Sequence, residues 1–181
     1  MKQIVVILAP GFEEIEALTA VDYIRRAGLS VTTVGVGGLR IEGAHGIVVE
    51  ADKVVADWVG LPDAVVVPGG MPGAANIAAN DDAKRIIRSV AERGGLVAAI
   101  CAAPAVVLGP LGLLDGKRFT CFPGREKDVP KGRFSTDRVV KDGNILTSRS
   151  AGTSGEFSLA IVRHLAGDVV AKELAERTLQ R

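Results

Sequence analysis

Leu96-Val97-Ala98-Ala99-Ile100-Cys101-Ala102-Ala103-Pro104 is the stretch on which the reading of this chain turns. Leu96–Ile100 is a run of small and branched apolar residues, the pattern of a strand buried on both faces. Gly94 and Gly95 precede it, and Cys101 follows with no polar break. Pro104 suits a first helical turn, where its missing N–H costs nothing. The apolar run Ala105–Leu111 then predicts a buried helix. A strand breaking into a helix at one reactive side chain is the geometry of a nucleophile elbow, with Cys in place of Ser. A helix start would supply N–H groups and partial positive charge that favour a thiolate. The same residues also describe an ordinary buried thiol, since free Cys is among the most buried residue types.

Outward from this junction, strand and helix patterns alternate. Gln3–Ala9, Ser30–Val34 and Ala64–Val67 predict strands, and Ile47–Glu50 predicts a third strand near an edge. Glu13–Arg26 has helical apolar spacing, with Gly28 as its stop. Leu39–Gly46 reads as an irregular excursion, and Val54–Val59 as a loop or short helix. Asn80 or Asp81 caps a helix reaching about Arg93. Arg118–Phe122 predicts a strand, and Arg125–Gly132 a loop. Asp142-Gly143 joins Asp137–Lys141 to Ile145–Ser148 in a hairpin. Thr153 and Glu156 have capping-box spacing at the head of a helix ending at Gly167. A final helix covers Asp168–Gln180. The alternation implies an α/β domain, doubly wound, with a mostly parallel sheet covered on both faces.

A chain of 181 residues, 48% hydrophobic and 24% charged, suits one domain spanning 1–181. The net charge of +1 is spread over interleaved acids and bases, and aromatics make up 4%. Nucleic acid is therefore not expected as a partner. No stretch approaches a membrane span, and two cysteines make no disulfide framework. A reducing, cytoplasmic setting is the expectation.

Ligands of doubly wound sheets bind beyond the carboxyl ends of the strands. Pro10–Glu16, Pro68–Gly73 and Cys101 would meet there. The glycines of Pro68-Gly69-Gly70 permit positive φ and close approach, so an N–H of this turn could join that of Ala102 as an oxyanion hole. An ordinary tight turn also accounts for them. G-x-G-x-x-G fails here and at Gly35, and Gly112–Lys117 is one residue short of a P-loop. No nucleotide or other cofactor is expected, and no metal-ligand spacing links Cys101 to Cys121. Glu13, Glu14 and Glu16 open a helix, where acids interact favourably with the dipole. Glu16 shares the stripe of Ala20, Tyr23 and Ala27 and should point inward, its pKa raised by desolvation and a nearby thiolate. It is the candidate acid–base. Glu13 and Glu14 should face water or a neighbouring loop.

The motifs APGFEEIEA, VVVPGGMPGA, AAICAAP and LTSRSAGTS leading into EFSLAIV resemble, in order and spacing, the ThiJ/PfpI superfamily and its DJ-one branch. The resemblance implies a flavodoxin-like sandwich and a homodimer. It implies Cys101 as nucleophile and oxidation-sensitive thiol, Glu16 as its carboxylic partner, and the N–H groups of Gly70 and Ala102 as oxyanion donors. Gly69 and Phe122 would line the pocket. Family members often carry His where Phe122 stands, so a Cys–His–acid triad cannot be assembled from this segment. His45 would complete a pocket in trans, if the excursion approaches a partner's site. Cys121 reads as a buried strand thiol and His164 as a surface or core-edge residue. The implied activity is that of a cofactor-free glyoxalase or deglycase, with small reactive carbonyls or glycated thiols and amines as substrates. The alternatives are a stress-responsive redox sensor and chaperone using Cys101, and an intracellular cysteine peptidase.

Overall fold

The computed structural model describes residues 2–180. Eleven strands follow in chain order: β1 (Gln3–Leu8), β2 (Ser30–Gly35), β3 (Arg40–Glu42), β4 (Val48–Glu50), β5 (Lys53–Val54), β6 (Ala64–Val67), β7 (Leu96–Ile100), β8 (Arg118–Phe119), β9 (Arg133–Phe134), β10 (Val139–Asp142) and β11 (Ile145–Ser148). Helices are α1 (Glu14–Arg26), α2 (Gly73–Ala79), α3 (Asp81–Glu92), α4 (Ser154–Ala166) and α5 (Asp168–Thr178).

Seven strands form one sheet in the order β10-β11-β7-β6-β1-β2-β5, parallel except for β10. The order reverses between β1 and β6, the switch point at which such sheets bind ligands. Successive β1 side chains leave on opposite faces. Val5 and Ile7 join Ile77, Ile86, Ile87 and Val90 of α2 and α3 in one buried layer. Ile4, Val6 and Leu8 join Ala17, Ala20 and Ile24 of α1 and Phe157 and Ile161 of α4 in the other. The α/β, flavodoxin-like, doubly wound reading therefore holds. No helix among the described residues is long and apolar enough to cross a membrane.

Several local expectations are corrected. Ile47–Glu50 is not an edge of the main sheet: β4 pairs antiparallel with β3 in a separate ribbon, and β5 takes the edge. The expected strand Arg118–Phe122 is regular over two residues only, where β8 pairs with β9, a strand the polar segment gave no sign of. Helix α2 was also hidden, because Gly73-Ala74-Ala75 carries no apolar period. Thr153 and Glu156 form no box at the head of α4; the box is made one turn earlier, by Ser150 and Thr153 around the short 3-10 turn Ala151–Thr153. The Glu156 carboxylate is taken up by Arg138 at 2.7 Å instead. Past Cys101 the expected buried helix is present but short: it covers Pro104–Leu108 rather than Ala105–Leu111, and it is wound as a π-helix. Val106 N–H donates to Ala102 C=O at 2.9 Å as it begins, Gly109 N–H donates i→i+5 to Pro104 C=O at 2.9 Å as it ends, and turns follow. Such π-helical turns recur at functional sites.

Candidate active site at the carboxyl rim of the sheet

Cys101 leaves β7 with φ 64°, and it is one of two non-glycine residues with positive φ among those described. This conformation is costly for a side-chain-bearing residue and is held by its surroundings. Cys101 N–H donates to Ser148 C=O at 3.0 Å, and Phe122 N–H donates to Cys101 C=O at 2.8 Å. These bonds pin the elbow between β11 and the segment after β8. The nucleophile-elbow geometry read from the sequence is present.

The turn after β6 closes over this elbow. Gly70 has φ +82°, and a Cβ there would fall 2.5 Å from the backbone N of Glu13. At Gly69 a Cβ would lie 2.6 Å from Cys101 Cβ and 2.8 Å from Glu16 Oε2. The cysteine and the carboxyl thus crowd the same point, and only glycine leaves them room. The backbone N–H groups of Gly70 and Ala102 lie close enough to Cys101 to favour its ionised form. Glu13 N–H donates to Gly69 C=O at 3.0 Å, which ties the start of α1 to this turn.

Glu16 is fully buried. Its Oε2 accepts the Gly69 N–H at 2.8 Å, while Oε1 has no hydrogen-bond partner among the described residues. The Cys101 thiol is the polar side chain set against this carboxyl. Burial pushes its pKa up to about 7, against the opposing pull of the Gly69 N–H and the thiol, with the Glu13 charge adding to the rise. The inward-pointing carboxyl with a raised pKa is found, with desolvation as the expected cause; the expected contribution of the thiolate is not, because Cys101 pulls the other way.

The thiolate expectation is corrected. Burial first, and the Glu16 charge second, raise the Cys101 pKa to about 12, outweighing the N–H groups of Gly70 and Ala102. Cys121 is fully buried and pushed up to about 12 in turn, chiefly by burial. Phe122 is 43% exposed.

Of the two alternatives for Glu14, water or a neighbouring loop, the structure shows the loop. Glu14 is buried, and its carboxylate accepts the backbone N–H of His45 at 2.8 Å and that of Ile47 at 3.4 Å. His45 Nδ1 lies 2.9 Å from Glu14 Oε2 and 3.6 Å from Glu13 Oε2. Burial alone would raise the Glu14 pKa, but the bonds from His45 and Ile47 together hold it below the usual value. The hydrogen bond to Glu14, with the Glu13 and Glu14 charges, raises that of His45. Within its own chain His45 therefore anchors the β3–β4 ribbon to α1 and stays apart from the Cys101–Glu16 pair. Glu13, Glu14 and His45 are the one set of possible metal ligands close enough together among the described residues. Sequence reading missed Glu14 as an anchor, because acids in a first helical turn have a sufficient local explanation.

The sequence matches the model of the DJ-1/PfpI family over residues 2–164. It is 38% identical over 179 residues to the Parkinson disease protein 7 homolog of Danio rerio, covering 96% of this chain and 94% of that protein. A Caenorhabditis elegans protein named glutathione-independent glyoxalase DJR-1.2 is 32% identical over 92% of this chain and 90% of its own length. Among solved structures, a cysteine-to-alanine mutant of a DJ-1 superfamily protein from Salmonella typhimurium superposes with a TM-score of 0.96 at 36% identity. That match covers 100% of both chains.

Proposed function

This chain belongs to the DJ-1/PfpI family, and we propose that it is a cofactor-independent glyoxalase that converts methylglyoxal to lactate. Glyoxal and early adducts of thiols and amines with these aldehydes are the related substrates. The observation that carries the reading is a buried carboxyl with a pKa near 7 set against a thiol that keeps its proton. A thiol with so high a pKa needs a base within reach when it attacks. Glu16 is that base.

The thiol adds to the aldehyde carbon, and its proton ends on the new hydroxyl of a hemithioacetal. The N–H groups of Gly70 and Ala102 stabilise the oxyanion while it exists. Glu16 carboxylate then takes the proton from the former aldehyde carbon and delivers it to the neighbouring carbonyl carbon through an enediol, while the hydroxyl proton of the former aldehyde carbon passes to the neighbouring oxygen. The product is a thioester of lactate, which water cleaves to lactate and free Cys101. Methylglyoxal and one water thus balance lactate, with no external oxidant or reductant.

Redox sensing would use the same cysteine, but oxidation proceeds through the thiolate. The ionised Glu16 beside Cys101 disfavours that form, so the carbonyl reading has the stronger support. Phe122 leaves the peptidase reading without a histidine at that place.

The test is lactate formation from methylglyoxal by purified variants. Cys101→Ser and Glu16→Gln are each expected to lower kcat at least ~100-fold while leaving the far-ultraviolet spectrum intact. Near-normal turnover in either folded variant overturns the mechanism.

A further inference from the structure

A groove of about 1010 Å³ runs between β10 and α4, away from the Cys101 elbow. Its floor includes Val139, Leu146 and Ala160. Its walls carry cations and carboxylates that largely neutralise one another. Arg138 pairs with Glu156 at 2.7 Å, Arg163 with Asp168 at 3.0 Å, and Asp137 with Arg118 at 2.7 Å. Two lining groups are left over. Lys141 has no carboxylate within ion-pair range, and His164 has no hydrogen-bond partner, among the described residues. They lie near enough that the Lys141 charge, with that of Lys2 from below β1, acts on the His164 ring.

We propose that this groove binds a small amphipathic carboxylate, its apolar body on Val139, Leu146 and Ala160 and its charge between Lys141 and His164. An apolar floor with a few convergent polar groups at one end is the usual form of a small-molecule site. The charge selects a monoanion. Once the ion pairs are discounted, Lys141 is the one unpaired cation lining the groove, and His164 in neutral form adds one N–H donor. A phosphate dianion would meet Asp137, Glu156 and Asp168 in the same groove.

His164 is its own reporter. Burial, Lys141 and Lys2 hold its pKa below the ordinary value, and a carboxylate seated beside it favours the charged ring. The chain has two histidines, so a His164→Gln variant assigns the imidazole signals directly. Octanoate, acetate and 1-octanol would each be titrated into the whole protein while these signals are followed by NMR across pH. Octanoate is expected to shift the His164 signals saturably and raise their titration midpoint. Acetate at the same concentration should do neither, and 1-octanol should leave the midpoint in place. Lys141→Met, an exposed substitution keeping the aliphatic stem, should weaken octanoate binding by about tenfold or more. The proposal is overturned if octanoate leaves His164 unmoved, if acetate binds as well as octanoate, or if Lys141→Met binds as tightly as the parent.

Discussion

Glu16 and Cys101 act on each other's protons, and the physics of that pair decides the pH behaviour of the protein. Burial holds the Glu16 carboxyl near pKa 7, so the base form is scarce below neutrality. The methylglyoxal reaction should therefore lose rate as pH falls, with kcat/KM dropping tenfold per unit well below about 7. A flat profile between pH 5 and 8 would mean another group takes the proton. The same shift acts on stability with a definite sign. Unfolded Glu16 titrates near 4.5 and folded Glu16 near 7. The folded state thus binds the proton more tightly, and stability falls as pH rises between these values. The loss is complete above about 7 and is at most about 3 kcal/mol. Glu16→Gln removes the titration while Gln can still accept from Gly69. Its melting temperature is expected to match the parent near pH 4 and exceed it at pH 8, as calorimetry would show.

At the scale of elements, the site exists because three chain segments stop at one rim. β7 ends at Cys101, β6 ends at Pro68-Gly69-Gly70, and α1 brings Glu16 inward within its first turn. The β3–β4 ribbon is held from the other side of the same helix end by Glu14. Truncating Glu14 would leave two backbone N–H groups and the His45 ring without their acceptor, and Glu14→Ala should loosen the ribbon more than the sheet. Hydrogen exchange is expected to speed up over residues 43–50 while β1 and β7 stay protected. Uniform speeding across both would show that Glu14 supports the whole fold instead.

For the whole molecule, we propose that the homodimer implied by the family resemblance forms through the surface around that ribbon. Ile15, Ile47 and Val48 are 55%, 53% and 43% exposed. Glu14 brings Ile15 and Ile47 together, because it adjoins the one in sequence and accepts from the N–H of the other at 3.4 Å. Neighbouring exposed aliphatic side chains of this size are a usual mark of an interface. His45, with 67% of its side chain exposed, lies on the same surface, consistent with its proposed place in a partner's pocket. Light scattering of the purified protein is expected to give twice the chain mass of 18.8 kDa. Ile47→Glu should halve it, and a parent protein of single-chain mass would remove the dimer and the role of His45 in trans.

The sequence alone determined the central sheet, because buried parallel strands need uninterrupted apolar runs and Gln3–Leu8, Ala64–Val67 and Leu96–Ile100 leave no other use for them. It also marked Glu16 as inward-facing, since a 3.6-residue period places it on the stripe of Ala20. What it did not determine were short pairings such as β8 with β9, which carry too few residues for a period and form only where the folded chain brings them together. Protonation was equally out of reach. The junction at Cys101 looked like a thiolate elbow because local backbone charge favours an anion there. Tertiary structure reversed that sign, by removing water from the sulfur and placing a carboxyl from α1 beside it. Desolvation and through-space charge depend on which segments meet, and no local pattern records that.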